Sequence, residues 1–160
     1  KTDGPVYLRF GRSATPVFTT AETPFEIGKA LTLWNSDSPK VAILGTGSLS
    51  YSALEAAKSL SEQGIESIVL HISTIKPLHT EAVVDAAKRA CRVVTVEEHQ
   101  AHGGFGSAVA ECLAQNFPVP MKILGIQDQF GQSGSPDELL KHYGLDSEHI
   151  AEAAHALIKM

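Results

Sequence analysis

The 160-residue chain is 43% hydrophobic and 19% charged, proportions that suit one globular domain with a continuous apolar core. Its 13 basic and 18 acidic residues leave a formal charge of −5 without any basic run, which argues against nucleic acid and anionic membrane as partners. No apolar stretch approaches the roughly 20 residues of a membrane span or forms a signal peptide, so a soluble, cytoplasmic protein is expected.

The N-terminal residues indicate a piece of a longer chain. The sequence opens at Lys1 without an initiator Met, and residues 5–10 form an apolar, strand-like run with no partner evident in the sequence. Residues 12–24 are rich in Thr, Ser and Pro and predict an irregular connector between two domains. Residues 25–34 then predict a strand, and the short turn at residues 35–39 would make the next strand antiparallel to it.

From residue 40 the sequence alternates strands with helices. Four short, β-branched apolar runs are typical of parallel strands covered on both faces: residues 41–44, 68–72, 93–96 and 122–126. Strands that alternate with helices of roughly 10 to 15 residues predict right-handed crossovers in a doubly wound sheet. The expected fold class is α/β, a three-layer α/β/α arrangement whose mostly parallel five-stranded sheet has one antiparallel strand.

Residues typical of helix ends support these assignments. Thr80 and Ser107 are expected to cap the second and third helices, and Pro118 to end the third. Residues 135–138 form a capping box for a short fourth helix, and a last helix is expected to start near Asp146.

Residues 45–48 (Gly-Thr-Gly-Ser) follow the first parallel strand and precede a helix, where backbone amides can hold an anion. The pattern departs from the dinucleotide fingerprint, because Ser50 stands in place of its third glycine and no acidic residue ends the second strand. A structural tight turn is the favoured interpretation, with nucleotide binding as the weaker alternative.

Residues 97–107 bring carboxylates, histidines and glycines to the edge where open α/β sheets bind ligands. His99 and His102 do not complete a metal ligand set, so a metal site is a weak alternative. Acid–base chemistry by His99 is conceivable, but a histidine held by loop hydrogen bonds or at a subunit contact is favoured. The candidate effector or interface loops of this edge comprise Gly45, Gly47, Ser48, Glu98, His99, Gly103 and Gly104.

Residues 128–135 supply a third glycine-rich loop at the same edge, with Phe130 as its expected anchor. Cys91 and Cys112 are too few for a disulfide framework or a zinc site and are expected to be reduced. No nucleophile elbow, CxxC or HExxH motif occurs, so no self-sufficient active site is expected. The remaining histidines are assigned no chemistry: His71, His79, His142, His149 and His155.

The same residues resemble the transketolase family, and most of all the C-terminal section of transketolases encoded as two halves. The blocks that carry the resemblance cover essentially the whole chain in a fixed order: GPVYLRFGR (4–12), FEIGKA (25–30), AILGTGS (42–48), TIKPL (74–78), VEEH (96–99) with GGFGS (103–107), and DQFGQSG (128–134) followed by YGL (143–145).

The resemblance implies that residues 1–12 are the tail end of a pyrimidine-binding domain, residues 13–24 a linker and residues 25–160 the transketolase C-terminal domain. It implies that thiamine diphosphate and Mg are bound in the parent enzyme by parts outside this chain. Those parts would include the glutamate that activates the cofactor, and no Gly-Asp-Gly magnesium motif occurs here. The chain alone is therefore expected to bind no cofactor and to be catalytically silent.

The resemblance also implies roles for two arginines. In transketolases an Arg at the position matched by Arg12 holds the sugar phosphate, a task that suits the planar, bidentate guanidinium. Arg9 is the second candidate for phosphate binding. The implied partners are an N-terminal transketolase section or subunit, a second copy in a homodimer, and small sugar phosphates between which the parent enzyme moves a two-carbon ketol unit.

Two alternatives stay open beside this interpretation. The chain also resembles the partner-docking, regulatory domain of 2-oxoacid dehydrogenase beta subunits, and the matching part of deoxyxylulose-phosphate synthase. The segment Glu97-Glu98-His99 is more similar to transketolase than to the synthase, where Asn is familiar at the position of His99.

Overall fold

The computed structural model describes residues 3–11 and 14–160, with regular structure from residue 31 onward. The strands of the described ranges are β1 (Leu31–Trp34), β2 (Val41–Gly45), β3 (Ser67–His71), β4 (Val93–Gln100) and β5 (Met121–Ile126). The helices are α1 (Leu49–Glu62), α2 (Thr80–Ala90), α3 (Phe105–Asn116), α4 (Pro136–His142) and α5 (Ser147–Ile158).

The strands form one sheet in the order β1-β3-β2-β4-β5. β2 lies parallel to β3 and β4, and β4 lies parallel to β5. β1 lies at the edge of the sheet and is antiparallel to its neighbour, β3. The sheet class is confirmed, and β1 runs antiparallel to β2 as predicted, although its hydrogen-bonded neighbour is β3. The turn at residues 35–39 carries the chain from the edge to the centre of the sheet and closes no hairpin.

Helices cover both faces of the sheet and confirm the three-layer arrangement. α1 and α5 pack on one face, and α2 and α3 pack on the other. The side chains of β2 alternate between the two faces of the sheet. Val41 and Ile43 pack in the core beneath α1 and α5, and Ala42 and Leu44 pack in the core beneath α2 and α3. All four are 0% exposed. Full burial of a Val, Leu or Ile side chain contributes about 1.5–3 kcal/mol, so the central strand is a main source of stability.

The first strand is shorter than the predicted span of residues 25–34. Phe25 and Ile27 are 74% and 64% exposed, so their alternation does not mark a sheet face. Gly28 adopts a positive φ of 83°, and its N–H donates to the Thr74 hydroxyl at 3.0 Å. The backbone bends there onto the loop after β3, and the strand begins only at Leu31.

The fourth strand is longer than predicted, because residues 97–100 continue it instead of forming a loop. Two expected helix caps are also wrong. Thr80 is the first residue of α2, which follows His79, and Ser107 lies inside α3. The Ser107 hydroxyl instead donates to the carbonyl of Ala101 at 2.8 Å. The third helix ends at Asn116, ahead of Pro118, as predicted.

Residues 3–11 are described without a strand, and their apolar side chains are exposed. The exposed fractions run from 62% to 87% for Val6, Tyr7, Leu8 and Phe10. The described chain therefore gives this segment no apolar cover. The domain limits at residues 1–12, 13–24 and 25–160 stay predictions.

Both cysteines are free thiols: Cys91 is exposed and Cys112 is half-buried. Within the described ranges, no helix combines the length and apolarity that crossing a bilayer would take.

The last two helices begin as predicted. Glu138 accepts hydrogen bonds from the backbone N–H and the hydroxyl of Ser135, at 2.9 and 2.7 Å, in the expected capping box. Asp146 caps α5 by accepting the N–H of His149 at 3.0 Å, and the same oxygen lies 2.6 Å from His149 Nδ1.

The Asp146–His149 pair shifts the pKa of both partners. The hydrogen bond to Asp146 raises the pKa of His149. Burial tends to raise the pKa of Asp146, but the hydrogen bonds and charge of His149 outweigh it and lower that pKa. His149 contributes to the free energy of unfolding below roughly pH 6.5, and this contribution is lost as pH rises through its raised pKa. That of Asp146 is present above roughly pH 4 and is lost as pH falls through its lowered pKa.

The substitution Asp146→Asn keeps an oxygen for the α5 cap and removes the charge. We expect it to lower the free energy of unfolding by less than about 1 kcal/mol near pH 5.5, because both side chains are partly exposed, and by less at pH 8.5. Urea unfolding followed by the fluorescence of Trp34 measures both values. An equal loss at the two pH values would show that the ion pair is not the source of the effect.

Candidate functional site

The loops after β2, β3 and β4 meet at the carboxyl edge of the sheet, as parallel pairing requires. The loop after β2 touches the end of β4, because the Ser48 hydroxyl donates to Glu98 Oε2 at 3.2 Å. Of the predicted edge residues, the structure thus joins Ser48 and Glu98 directly. The remaining members sit on the same edge in their own loops.

The loop at residues 45–48 is held by internal contacts. The Thr46 hydroxyl donates to the carbonyl of Ile72 at 2.9 Å, which links the loop to the end of β3. Gly45 approaches α1 so closely that an added Cβ would lie 2.9 Å from the Cα of Ser50. Ser50 itself is fully buried, and its hydroxyl oxygen lies 2.6 Å from His71 Nδ1. A larger side chain at position 45 or position 50 would separate strand from helix.

The electrostatics at the start of α1 disfavour a bound anion. The first turn of α1 has no acidic residue of its own, but the carboxylate of Glu98 lies against Ser48, the residue that precedes the helix. That negative charge lies at the helix N-terminus, where the helix dipole would otherwise stabilise a bound phosphate, and it would repel the phosphate. The geometry agrees with the structural tight turn favoured from the sequence.

The loop after β4 is organised by a buried carboxylate. Glu97 is 2% exposed, and its two oxygens accept the N–H groups of Phe105 and Gly106 at 2.6 and 2.7 Å. A side chain from the strand thereby caps α3, whose own preceding residue, Gly104, has none to offer. A Cβ at Gly104 would collide with the Glu97 carboxylate and the carbonyl of Gln100, so only glycine fits.

Two further predicted residues of this loop are exposed. His99 lies near the end of β4 with its Nδ1 3.1 Å from the carbonyl of Gln100. Gly103 donates its N–H to the Ser107 hydroxyl at 2.9 Å. Among the described residues no group of three or more His, Cys, Asp or Glu side chains is placed to hold a metal ion.

Of the two arginines assigned to phosphate binding, Arg9 lies in the described ranges, and it is not joined to this edge. Arg9 is exposed and makes no hydrogen bond or ion pair within residues 3–11 and 14–160. Arg12 lies outside the described residues. Phe130 was expected to anchor the loop after β5, but its side chain is 95% exposed, so that expectation is wrong.

Sequence reasoning missed the residues at the end of β3 that hold the N-terminal part of the chain. His79 Nδ1 accepts the N–H of Ala30 at 2.9 Å, and Thr74 accepts that of Gly28. His71, half-buried beside Ser50, has a pKa lowered by burial, which favours its neutral ring. The available signal was the concentration of polar residues directly after a buried strand, in the block of residues 71–80.

Fold and edge together define a class: a three-layer α/β domain whose glycine-rich edge loops are fixed by packing and capping contacts. A family model described as "Transketolase, C-terminal domain" matches residues 28–150. The chain belongs to this family.

Individual relatives agree. The chain is 42% identical over 156 residues to a subunit of the apulose-4-phosphate transketolase of Phocaeicola vulgatus, a match that covers 97% of this chain and 49% of the relative. It is 43% identical over 155 residues to the "1-deoxy-D-xylulose-5-phosphate synthase" of Trichormus variabilis, covering 94% of this chain and 24% of that one.

A solved structure described as "Split gene transketolase, inactive beta4 tetramer" superposes with a TM-score of 0.87 at 36% identity. The superposition covers 92% of this chain and 48% of the solved chain. The present chain thus spans about half the length of the transketolase subunits that it matches, and less of the synthase.

The capping role of Glu97 can be tested with Glu97→Gln. The amide keeps one acceptor and turns its NH2 toward a backbone N–H, so we expect the free energy of unfolding to fall by about 2–4 kcal/mol. Glu98→Gln is the matched control, since Glu98 is the next residue and is exposed. Urea unfolding of both variants is the measurement. A loss in Glu97→Gln no larger than in the control would contradict the assigned role.

Proposed function

We propose that this chain is a C-terminal fragment of a split, transketolase-type enzyme that transfers two-carbon ketol units between sugar phosphates. The observation that carries the proposal is the match to one subunit of a transketolase, which uses 97% of this chain at 42% identity. In this proposal the fragment supplies stability, subunit contacts and the phosphate-binding Arg12, and an N-terminal partner supplies the cofactor site.

The exposed N-terminal segment supports a missing partner. Val6, Tyr7, Leu8 and Phe10 expose most of their apolar surface, which a folded domain normally covers. We assign residues 1–12 to the end of a neighbouring pyrimidine-binding domain, residues 13–24 to the linker, and residues 25–160 to the C-terminal domain. In the assembled enzyme the neighbouring domain would cover these side chains.

The described residues do not fit thiamine diphosphate and its Mg ion. The diphosphate would meet the Glu98 carboxylate at the start of α1, and no cluster of acidic or histidine side chains is formed within the described ranges to take the metal. The cofactor therefore belongs to the N-terminal partner in this proposal, and no step of the reaction is assigned to residues of this domain's core.

The edge loops are assigned to subunit contact. Internal hydrogen bonds fix their backbone, while Glu98 and His99 stay exposed at the surface. A rigid, polar edge of this kind suits the rim of an interface between a section and its partner or between two copies in a homodimer. The proposed members are Gly45, Gly47, Ser48, Glu98, His99, Gly103 and Gly104. A cytoplasmic location belongs to the same proposal.

The assignment of thiamine diphosphate and Mg to the N-terminal partner can be tested by calorimetry. Titration of thiamine diphosphate with Mg into this chain alone is expected to give no binding heat, and titration into its complex with the N-terminal section is expected to give saturable binding. Ketol transfer between sugar phosphates should appear only in the complex. Tight binding by the chain alone would contradict the assignment of the cofactor to the partner.

The phosphate-binding role of Arg12 predicts a selective change in KM. In the complex, Arg12→Lys keeps the charge and removes the bidentate fork, so KM for phosphorylated substrates should rise by about tenfold or more. KM for an unphosphorylated sugar should stay unchanged. Arg9→Lys is the matched control and should have a smaller effect. Equal changes for both kinds of sugar would contradict phosphate recognition by Arg12.

A second candidate function is that of the corresponding section of 1-deoxy-D-xylulose-5-phosphate synthase. The relative from Trichormus variabilis favours it, at 43% identity. Formation of 1-deoxy-D-xylulose 5-phosphate by the complex, without ketol transfer between sugar phosphates, would select this function over the first.

A further inference from the structure

The connector that precedes the domain is nearly free of hydrogen bonds to it. Within the described residues 14–25, the backbone and side-chain hydrogen bonds are local ones among Thr20, Glu22 and Thr23. No hydrogen bond in the described ranges ties this stretch to a strand or a helix. Any fixed position of the connector must therefore come from packing.

Phe18 provides that packing. It is half-buried, whereas Val17 beside it is 87% exposed. The Phe18 ring meets the His71 imidazole edge-on, with centroids 5.5 Å apart and an angle of 80° between the planes. The centroid of the Tyr51 ring lies 6.5 Å from that of Phe18. An edge-to-face arrangement at this distance is an attractive aromatic geometry.

The two rings that receive Phe18 are themselves fixed. His71 is the last residue of β3, and its Nδ1 lies 2.6 Å from the hydroxyl oxygen of the fully buried Ser50. Tyr51 follows Ser50 on the first turn of α1. We call Tyr51 and His71 the connector seat. Strand, helix and a partly buried hydrogen bond hold these two rings independently of the connector.

The chain is attached a second time after the connector, to the loop between β3 and α2. Gly28 and Ala30 donate their N–H groups to Thr74 and His79. Between the two attachments the backbone passes over a cavity of about 460 Å³, which Glu26, Lys29 and His71 help to line. The end of β3 thus holds the incoming chain at both ends of an otherwise loose span.

We infer that Phe18, lodged in the connector seat, is the anchor that fixes the path of the connector on the domain. His71 is then a positioning residue for the segment upstream of Phe18, which contains Arg9 and Arg12. The anchor follows from the contacts of this chain alone. Its consequence for phosphate binding rests on the function proposed above.

The anchor is tested by NMR on the chain with Phe18→Ala, and with Val17→Ala as the neighbouring, exposed control. Phe18 belongs to neither apolar core, so the fold should persist. Loss of the ring uncovers His71, whose pKa is lowered by burial. We expect that pKa to rise toward its ordinary value, and the heteronuclear NOE values of residues 14–24 to fall, in Phe18→Ala only. Glu26 and Lys29, the charged groups that line the same cavity, are unchanged in both variants.

His71→Asn gives a second test, because the Asn side chain can still meet the Ser50 hydroxyl but offers no ring to Phe18. It should loosen residues 14–24 as Phe18→Ala does, and adding Phe18→Ala to it should loosen them little further. Unchanged connector order in both single variants, or a change equal to that of Val17→Ala, would overturn the anchor.

The consequence for catalysis is measured in the complex with the N-terminal section. Phe18→Ala should raise KM for phosphorylated substrates roughly two- to tenfold, the range that loss of one aromatic pair permits, while kcat is kept. An active complex with unchanged KM would overturn the positioning role and leave the proposed function standing. An inactive wild-type complex would overturn the proposed function, while the NMR result would still decide the anchor.

Discussion

The burial of β2 on both faces is the constraint from which the rest of the domain follows. Its residues from Val41 to Leu44 are inaccessible to water, so a layer of helices must cover each side of the sheet. Each connection between parallel strands then crosses one face of the sheet and brings the chain back to the start of the next strand. The loops after β2, β3 and β4 therefore emerge at one edge. The loop edge of the domain is therefore a consequence of covering its central strand.

Two glycines of that edge, Gly45 and Gly104, are required because other atoms approach their backbone closely. At Gly104 the neighbouring atoms belong to the Glu97 carboxylate and to the backbone, and at Gly45 they belong to Ser50. The buried charge of Glu97 is tolerated because two backbone N–H groups stabilise it, and the same bonds satisfy the start of α3. Replacing Gly104 or removing the Glu97 carboxylate would therefore disturb both the end of β4 and the start of α3.

The sequence predicted what depends on local chemistry and periodicity. The four parallel strands, the layers and the capping box at Ser135 follow from apolar runs and helix-end residues. It missed what depends on distant neighbours. The partner of β1 is decided by the whole sheet, and Glu97 looked like a loop residue because its amide partners lie across a turn. Arg9 and Arg12 were chosen from a resemblance, and their role stays a prediction. No sequence pattern predicts the contact between Phe18 and His71, because these residues are far apart in the chain and come together only in the folded domain.

These contacts bear on what this domain can transmit to residues outside it. Its exposed charges, such as Glu98, act over only about 8–10 Å at physiological ionic strength, so its electrostatic field reaches little beyond its surface. The polar groups at the edge, such as Thr46 and Glu97, are already engaged by backbone partners. What the domain can transmit is position: a rigid edge of loops, and a fixed point at the end of β3 from which the N-terminal segment departs. No hydrogen bond in the described ranges ties the connector to the domain, so the path of the connector depends on that fixed point. A displacement of the point would therefore also displace the segment upstream of it.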